Sequence, residues 1–156
     1  MTHSYSNLDK YEKEKLYRKI NETKKEIQST VSNFDVEDKI SPLIIKYGIN
    51  TLNWKDFVYK TTLSKDTYYR FKKGKTKLDK RTVLCICIGL HISNTDAKTI
   101  MELYGVSLDE ISEPDITYMS CLQIASKVEK ECDFLGCVDD YLKDNGLPTL
   151  IKPPRD

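Results

Sequence analysis

Apolar positions along this chain recur mostly at steps of three and four, the spacing that lines one face of an α-helix, and nowhere in the strict alternation of a half-buried strand. From Leu8 to about Phe34 the recurring positions are Leu16, Ile20, Thr23, Ile27, Thr30 and Phe34. They form a heptad-like seam with two threonines on it, and Lys13 extends it badly. That seam predicts one amphipathic helix packed on its own body or on a second copy. VEDKISPLIIKYGIN reads as a short helix ending at Gly48, a residue suited to a left-handed stop. Three short helical segments follow, WKDFVYKT, SKDTYYRFKK and KRTVLCICIGL, and then NTDAKTIMELYG, capped by Asn94 or Thr95 and closed at Gly105. Pro114 opens a longer helix from about Asp115 to Asp133, and a last one runs from about Leu135 to Lys143, stopped by Asn145, Gly146 and Pro148. The β-branched CICI run is too isolated to require a sheet partner. The fold class expected is all-α.

Charge adds the feature that periodicity misses. The net charge of +1 hides a polarity along the chain: residues 55 to 81 carry ten basic and three acidic groups, residues 82 to 150 four and twelve. Within the basic stretch, LSKDTYYRFKKGKTK from Leu63 to Lys77 holds six Lys/Arg and three aromatic residues. Charge runs are usually solvated faces, but so much positive charge beside so much negative points to a local anionic partner.

Composition narrows the classes further. With 39 % hydrophobic and 31 % charged residues, the chain fits a soluble globular protein of one domain, or one domain plus an arm. No apolar run reaches the roughly 18 residues of a membrane span, and the opening MTHSYSNLDKYEKEK lacks a signal-peptide core, so the expected location is the cytoplasm. The five cysteines, Cys85, Cys87, Cys121, Cys132 and Cys137, lie in apolar surroundings with no CxxC pair for His3 or His91 to complete, and read as buried free thiols with no metal. No nucleotide loop, HExxH or GxSxG occurs. The adjacent carboxylates Asp139 and Asp140 diverge on a helix and cannot face one another, so no enzyme and no cofactor is expected.

The basic segment has a definite place in this helical order. WKDFVYKT puts Phe57 and Val58 inward; Thr62 and Leu63 make a tight link; Ser64 caps KDTYYRFKK, in which Tyr68 and Phe71 share the inward face. Gly74 ends that helix, Lys75, Thr76 and Lys77 follow in a loop, and Asp79 caps the next. Trp54 reads as core at the start of the first of these helices. A short helix, a tight turn and a second helix with polar N-terminal residues is the geometry that lowers a recognition helix into the major groove.

These residues resemble the lambda-repressor/Cro-like helix-turn-helix family, also called xenobiotic-response-element regulators. Phe57 and Val58 match its scaffold pair, Thr62 the turn, Leu63 the apolar turn residue, Ser64 the cap, Tyr68 and Phe71 the inward pair and Gly74 the glycine. VLCICIGLHIS is similar to the family's fourth helix. The resemblance covers about Ile40 to Gly105. AKTIMELYGVSL and DDYLKDNGLPTL are similar to a bacterial variant with extra C-terminal helices. Departures are Thr62 in place of the frequent glycine or alanine, the bulk of Phe57 and Val58, and Lys72 where an acid is common.

The resemblance implies a helix-turn-helix bundle with an N-terminal amphipathic helix and extra C-terminal helices. The divisions expected are an N-terminal arm at 1–35, a DNA-binding domain at 36–106, a C-terminal helical extension at 107–150 and a tail at 151–156. Lys65, Asp66, Thr67, Tyr69 and Arg70 are the candidates for reading base edges. Ser64, Lys73, Lys75, Thr76 and Lys77 are the candidates for holding the backbone. Each has a plainer reading: Tyr69, Lys65 and Arg70 as solvated helix surface, Asp66 as an acid favoured in a first helical turn. The partners expected are double-stranded DNA and a second copy on a palindromic operator, with the acidic C-terminal helices as a further protein contact, in a cytoplasmic bacterial or phage regulator. The alternatives are a protein-interaction module on the same fold and the C-terminal part of a larger regulatory protein.

Overall fold

The structure, a computed structural model, describes residues 9–32 and 37–152, with side chains at 9–27 and 37–152. Among the described residues, eight α-helices and two 3-10 turns make up the regular structure, and no strand occurs. The chain divides into two units, residues 1–34 and residues 35–156.

The first unit contains helix α1, Lys10–Ser32. Asp9 opens it by accepting the amide N–H of Glu12 at 2.7 Å, satisfying one of the donors a helix start leaves unpaired. Every described side chain of α1 is exposed, including Leu16, Ile20 and Ile27 on the expected seam. Leu8, the side chain of Thr30, and Phe34 lie outside the described residues.

The second unit is built around α5, Lys80–Gly89. Val83 to Ile88 are fully buried, and α5 packs against α3 (Trp54–Thr61), α6 (Asn94–Leu103), α7 (Glu113–Ile124) and α8 (Phe134–Asp144). A helix touched on all sides needs apolar residues all round, which is why VLCICI lacks periodicity and is still a helix. α2 (Glu37–Lys46) and α4 (Lys65–Lys73) complete the unit. The residues expected as a C-terminal extension therefore share their core with α5.

Helix ends are set by named residues. α5, α6 and α8 each close with paired 6→1 and 5→2 backbone bonds around a residue of positive φ: His91 (φ 55), Gly105 (φ 68) and Gly146 (φ 67). Ser93, not Asn94 or Thr95, caps α6, its hydroxyl accepting the Asp96 amide at 3.2 Å. This follows from the early αL stop at His91, which leaves Ser93 as the first extended residue with an oxygen in reach.

The longer helix expected from Asp115 to Asp133 is shorter than that. It starts at Glu113, with Pro114 in its first turn, ends at Ile124, and passes through a 3-10 turn, Ala125–Lys127, into irregular chain. Buried His91 gives the reason: its Nδ1 lies 2.9 Å from the Ala125 carbonyl and its Nε2 3.2 Å from that of Cys132, so the chain folds around the imidazole instead of continuing its ladder. The same turn lifts Cys132 to the surface, and Cys137 is exposed on α8, so only Cys85, Cys87 and Cys121 are the buried thiols expected. Burial pushes the Cys87 thiol up to about 12 and that of Cys85 to about 11, which keeps both protonated and unreactive.

Three carboxylates tie the unit together. Buried Asp115 accepts Lys80 Nζ at 2.7 and 2.8 Å and the Asp109 amide at 2.7 Å; burial pushes its carboxyl up, and these partners more than offset it, leaving it below the ordinary value. Hydrogen bonds from Lys46 and Tyr47 hold Asp96 down, and the Thr82 hydroxyl and amide do the same for Asp79. A folded-state pKa below the unfolded value contributes stability that is whole above about 3.9 and is lost as pH falls through the folded value. The urea midpoint should therefore hold steady through neutral pH and decline below about pH 4. Asp115→Asn should flatten that decline while lowering stability at pH 7; an unchanged acid limb in the variant would mean that Asp115 is not part of it.

Candidate nucleic-acid interface

The segment Asn53 to Asp79 is assembled from local rules. Asn53 caps α3 by accepting the Lys55 amide at 2.9 Å. Phe57 is fully buried, but its expected companion Val58 is only half-buried; Thr61, one turn on from Phe57, is the second inward residue. Its buried hydroxyl donates to the Phe57 carbonyl at 2.7 Å, so the threonine carries no unpaired group into the core.

The link between α3 and α4 is three residues long. Thr62 turns the chain with φ 59 and ψ 14, its amide donating to the Val58 carbonyl at 2.8 Å. Leu63 is buried beneath the turn, and Ser64 caps α4 by accepting the Thr67 amide at 3.1 Å. A β-branched residue in the left-handed region crowds Cβ against its own carbonyl, at about 1–2 kcal/mol. Thr62→Gly should relieve that cost and, after allowance for the greater freedom of glycine in the unfolded chain, raise stability by about 0.5–1 kcal/mol. A lowered urea midpoint would show that the Thr62 hydroxyl, which donates to the Thr61 carbonyl at 2.6 Å, outweighs the backbone cost.

Tyr68 and Phe71 fix α4 to the unit. The Tyr68 hydroxyl donates to the carbonyls of Leu52 and Ile49, its ring lies 4.9 Å from that of Phe57, and Phe71 packs 6.4 Å from Tyr104. Gly74 (φ 64) closes α4, with the Glu37 amide nitrogen only 2.9 Å from where a Cβ would stand, so only glycine lets this end approach α2. Asp66 in the first turn and Arg70, Lys72 and Lys73 in the last also complement the helix dipole.

With that face buried, the opposite face is set. Lys65, Asp66, Tyr69, Arg70 and Lys73 are exposed along α4, as are Ser64 before it and Lys75, Thr76 and Lys77 after it, whereas Thr67 is half-buried. Several already have partners. Arg70 Nε pairs with Asp66 at 3.0 Å, one turn apart, and Lys75 Nζ lies 3.7 Å from Glu37. The Ser64 and Thr67 hydroxyls bond each other at 2.9 Å, and Lys77 also has an interaction partner.

Trp54 is half-buried, not core. At the first position of α3 its ring is left partly outside, and the ammonium groups of Lys55 and Lys65 lie 5.7 and 4.6 Å from its centroid. Trp54 and Lys55 thus join Lys65 on this surface, two residues that sequence reasoning left out. The Asn53 cap immediately before Trp54 is the signal that could have placed them. Lys80, counted with the basic stretch, is committed to Asp115, its Nζ 2.7 Å from the carboxylate.

No protein-family model matches the chain, and no curated protein or solved structure matches it. Among the described residues no group of three or more His, Cys, Asp or Glu could hold a metal, and no helix is long and apolar enough to cross a membrane.

Proposed function

We propose that this protein binds double-stranded DNA in a sequence-specific manner, as a helix-turn-helix regulator in which α4 enters the major groove. The observation that carries the reading is the three-residue joint between α3 and α4. It leaves Lys65, Asp66, Tyr69 and Arg70 in one exposed row, with a lysine-bearing loop, Lys75 to Lys77, directly beyond the Gly74 stop. Such a row is the arrangement by which a recognition helix presents side chains to base edges while flanking cations hold phosphates. Asp66 and Arg70, paired in the free protein, form a donor–acceptor set: the guanidinium suits guanine O6 and N7, and the carboxylate suits the cytosine amine. Thr67 is the weakest of the base-reading candidates, because it is half-buried and bonded to Ser64.

One such unit covers only a few base pairs, so a dimer on a palindromic site is part of the proposal, with repression by occupancy as its outcome. The test is selection of bound fragments from random duplex DNA by the full chain. An enriched inverted repeat supports the reading. Recovery of no motif, with capture of an acidic protein instead, would assign the same cationic face to a protein partner.

A further inference from the structure

We propose that α1 is the self-association helix of this protein and that it pairs antiparallel with α1 of a second copy. The inference stands apart from the DNA-binding reading.

The seam of α1 is apolar and uncovered: Leu16, Ile20 and Ile27 are 47 %, 60 % and 59 % exposed, although such residues gain from leaving water. Leu16, Ile20, Thr23 and Ile27 follow steps of four, three and four, the heptad spacing that keeps one stripe against a partner helix over about 17 Å. Ile20, Thr23, Lys24 and Ile27 outline a hollow of the kind that accepts one side chain from a facing helix. The threonine leaves no unpaired donor on the stripe, because its hydroxyl donates to the Lys19 carbonyl at 2.9 Å.

Charge decides the occupant and its direction. Lys19 and Glu26 flank the stripe on one side, Tyr17 and Lys24 on the other. In a parallel pair each Lys19 would face the partner's Lys24, a repulsion made twice. In an antiparallel pair each Lys19 faces the partner's Glu26 and each Tyr17 the partner's Lys24, an ion pair and an ammonium-to-ring contact, each made twice. The same register sets Leu16 opposite the partner's Ile27 and Ile20 opposite the partner's Thr23, so every apolar residue of the stripe is used. The contact is self-complementary, as a two-fold dimer requires.

Sedimentation equilibrium of the full chain, without DNA and across micromolar to millimolar loading, tests this. The wild type should dimerise, and Ile20→Glu should weaken dimerisation at least tenfold while leaving the thermal transition unchanged. Lys19→Glu should also weaken it, and Lys19→Glu with Glu26→Lys should restore it. A monomeric wild type overturns the proposal, as does an Ile20→Glu variant that still dimerises. Stronger association of Lys19→Glu alone overturns the antiparallel arrangement, since it would replace two lysine repulsions with two attractions in a parallel pair.

Discussion

Gly89→Ala should destabilise the second unit by about 3 kcal/mol, although alanine is the better helix former. Gly89 is the last residue of α5, and a Cβ there would lie 2.4 Å from the Lys60 carbonyl oxygen and 3.1 Å from Thr61 Cα. The obstacle is backbone, so no side-chain rotation relieves it, and α3 and α5 must part. Alanine gains roughly 1 kcal/mol in helix propensity, whereas parting two packed helices forfeits contacts around buried Phe57 and Thr61, so the clash wins. At roughly 3 °C per kcal/mol the melting temperature should fall by about 10 °C. Gly105→Ala is the control: that position has φ 68 but nothing within 4 Å, so it should cost only the conformational term, about 1 kcal/mol. Equal losses in the two variants would mean that the approach of α3 to α5 is not tight. Because the end of α3 leads directly into Thr62, Gly89→Ala should also weaken DNA binding under conditions where the variant is still folded.

Arg70→Ala and Lys75→Ala should fail in different ways on DNA. Arg70→Ala is expected to cost about 1–3 kcal/mol on the preferred site and to relax discrimination at one base position. In the free protein the guanidinium neutralises Asp66, and the truncation leaves that carboxylate facing an anionic groove. The double variant Asp66→Ala/Arg70→Ala should therefore recover nonspecific affinity but not discrimination. Lys75→Ala should weaken all duplexes alike and make the salt slope shallower by about one per protomer. The exposed Lys75 pair with Glu37, at 3.7 Å, is of the kind worth about 0–1 kcal/mol, so it yields easily to a phosphate and its loss should hardly move stability. A wild-type slope near zero, or an Arg70→Ala variant that binds every duplex equally less well, would sink the DNA-reading role of α4.

Much of this arrangement was legible in the chain, and the legible part is local. The Ser64 cap, the Gly74 stop and the Tyr68 and Phe71 pair each depend on residues within four positions of one another, where helical geometry alone fixes the neighbours. The Asp79 cap and the closures at Gly105 and Gly146 belong to the same class. Once Tyr68 and Phe71 are known to face inward, the exposed row on α4 follows from a 3.6-residue period without any tertiary information.

The errors arose where contacts join distant positions. His91 turns residues 125 to 132 out of the helix expected there, across 34 and 41 positions, and a lone histidine in an apolar run gives no sign of it. Lys80, one of the ten basic groups between residues 55 and 81, is tied to Asp115, 35 positions on, and Trp54 looked like core until the packing of α3 left one side of its ring outside. By itself the sequence determined which segments are helical, where most of them stop, and which face of α4 is wet, because hydrogen bonds and side-chain rows within one helix repeat every three or four residues. Only the tertiary structure decided which cations remain on that face, how far α7 runs and why position 89 must be glycine, because those depend on which carbonyl or carboxylate packing brings within 3 Å, and no spacing along the chain encodes that.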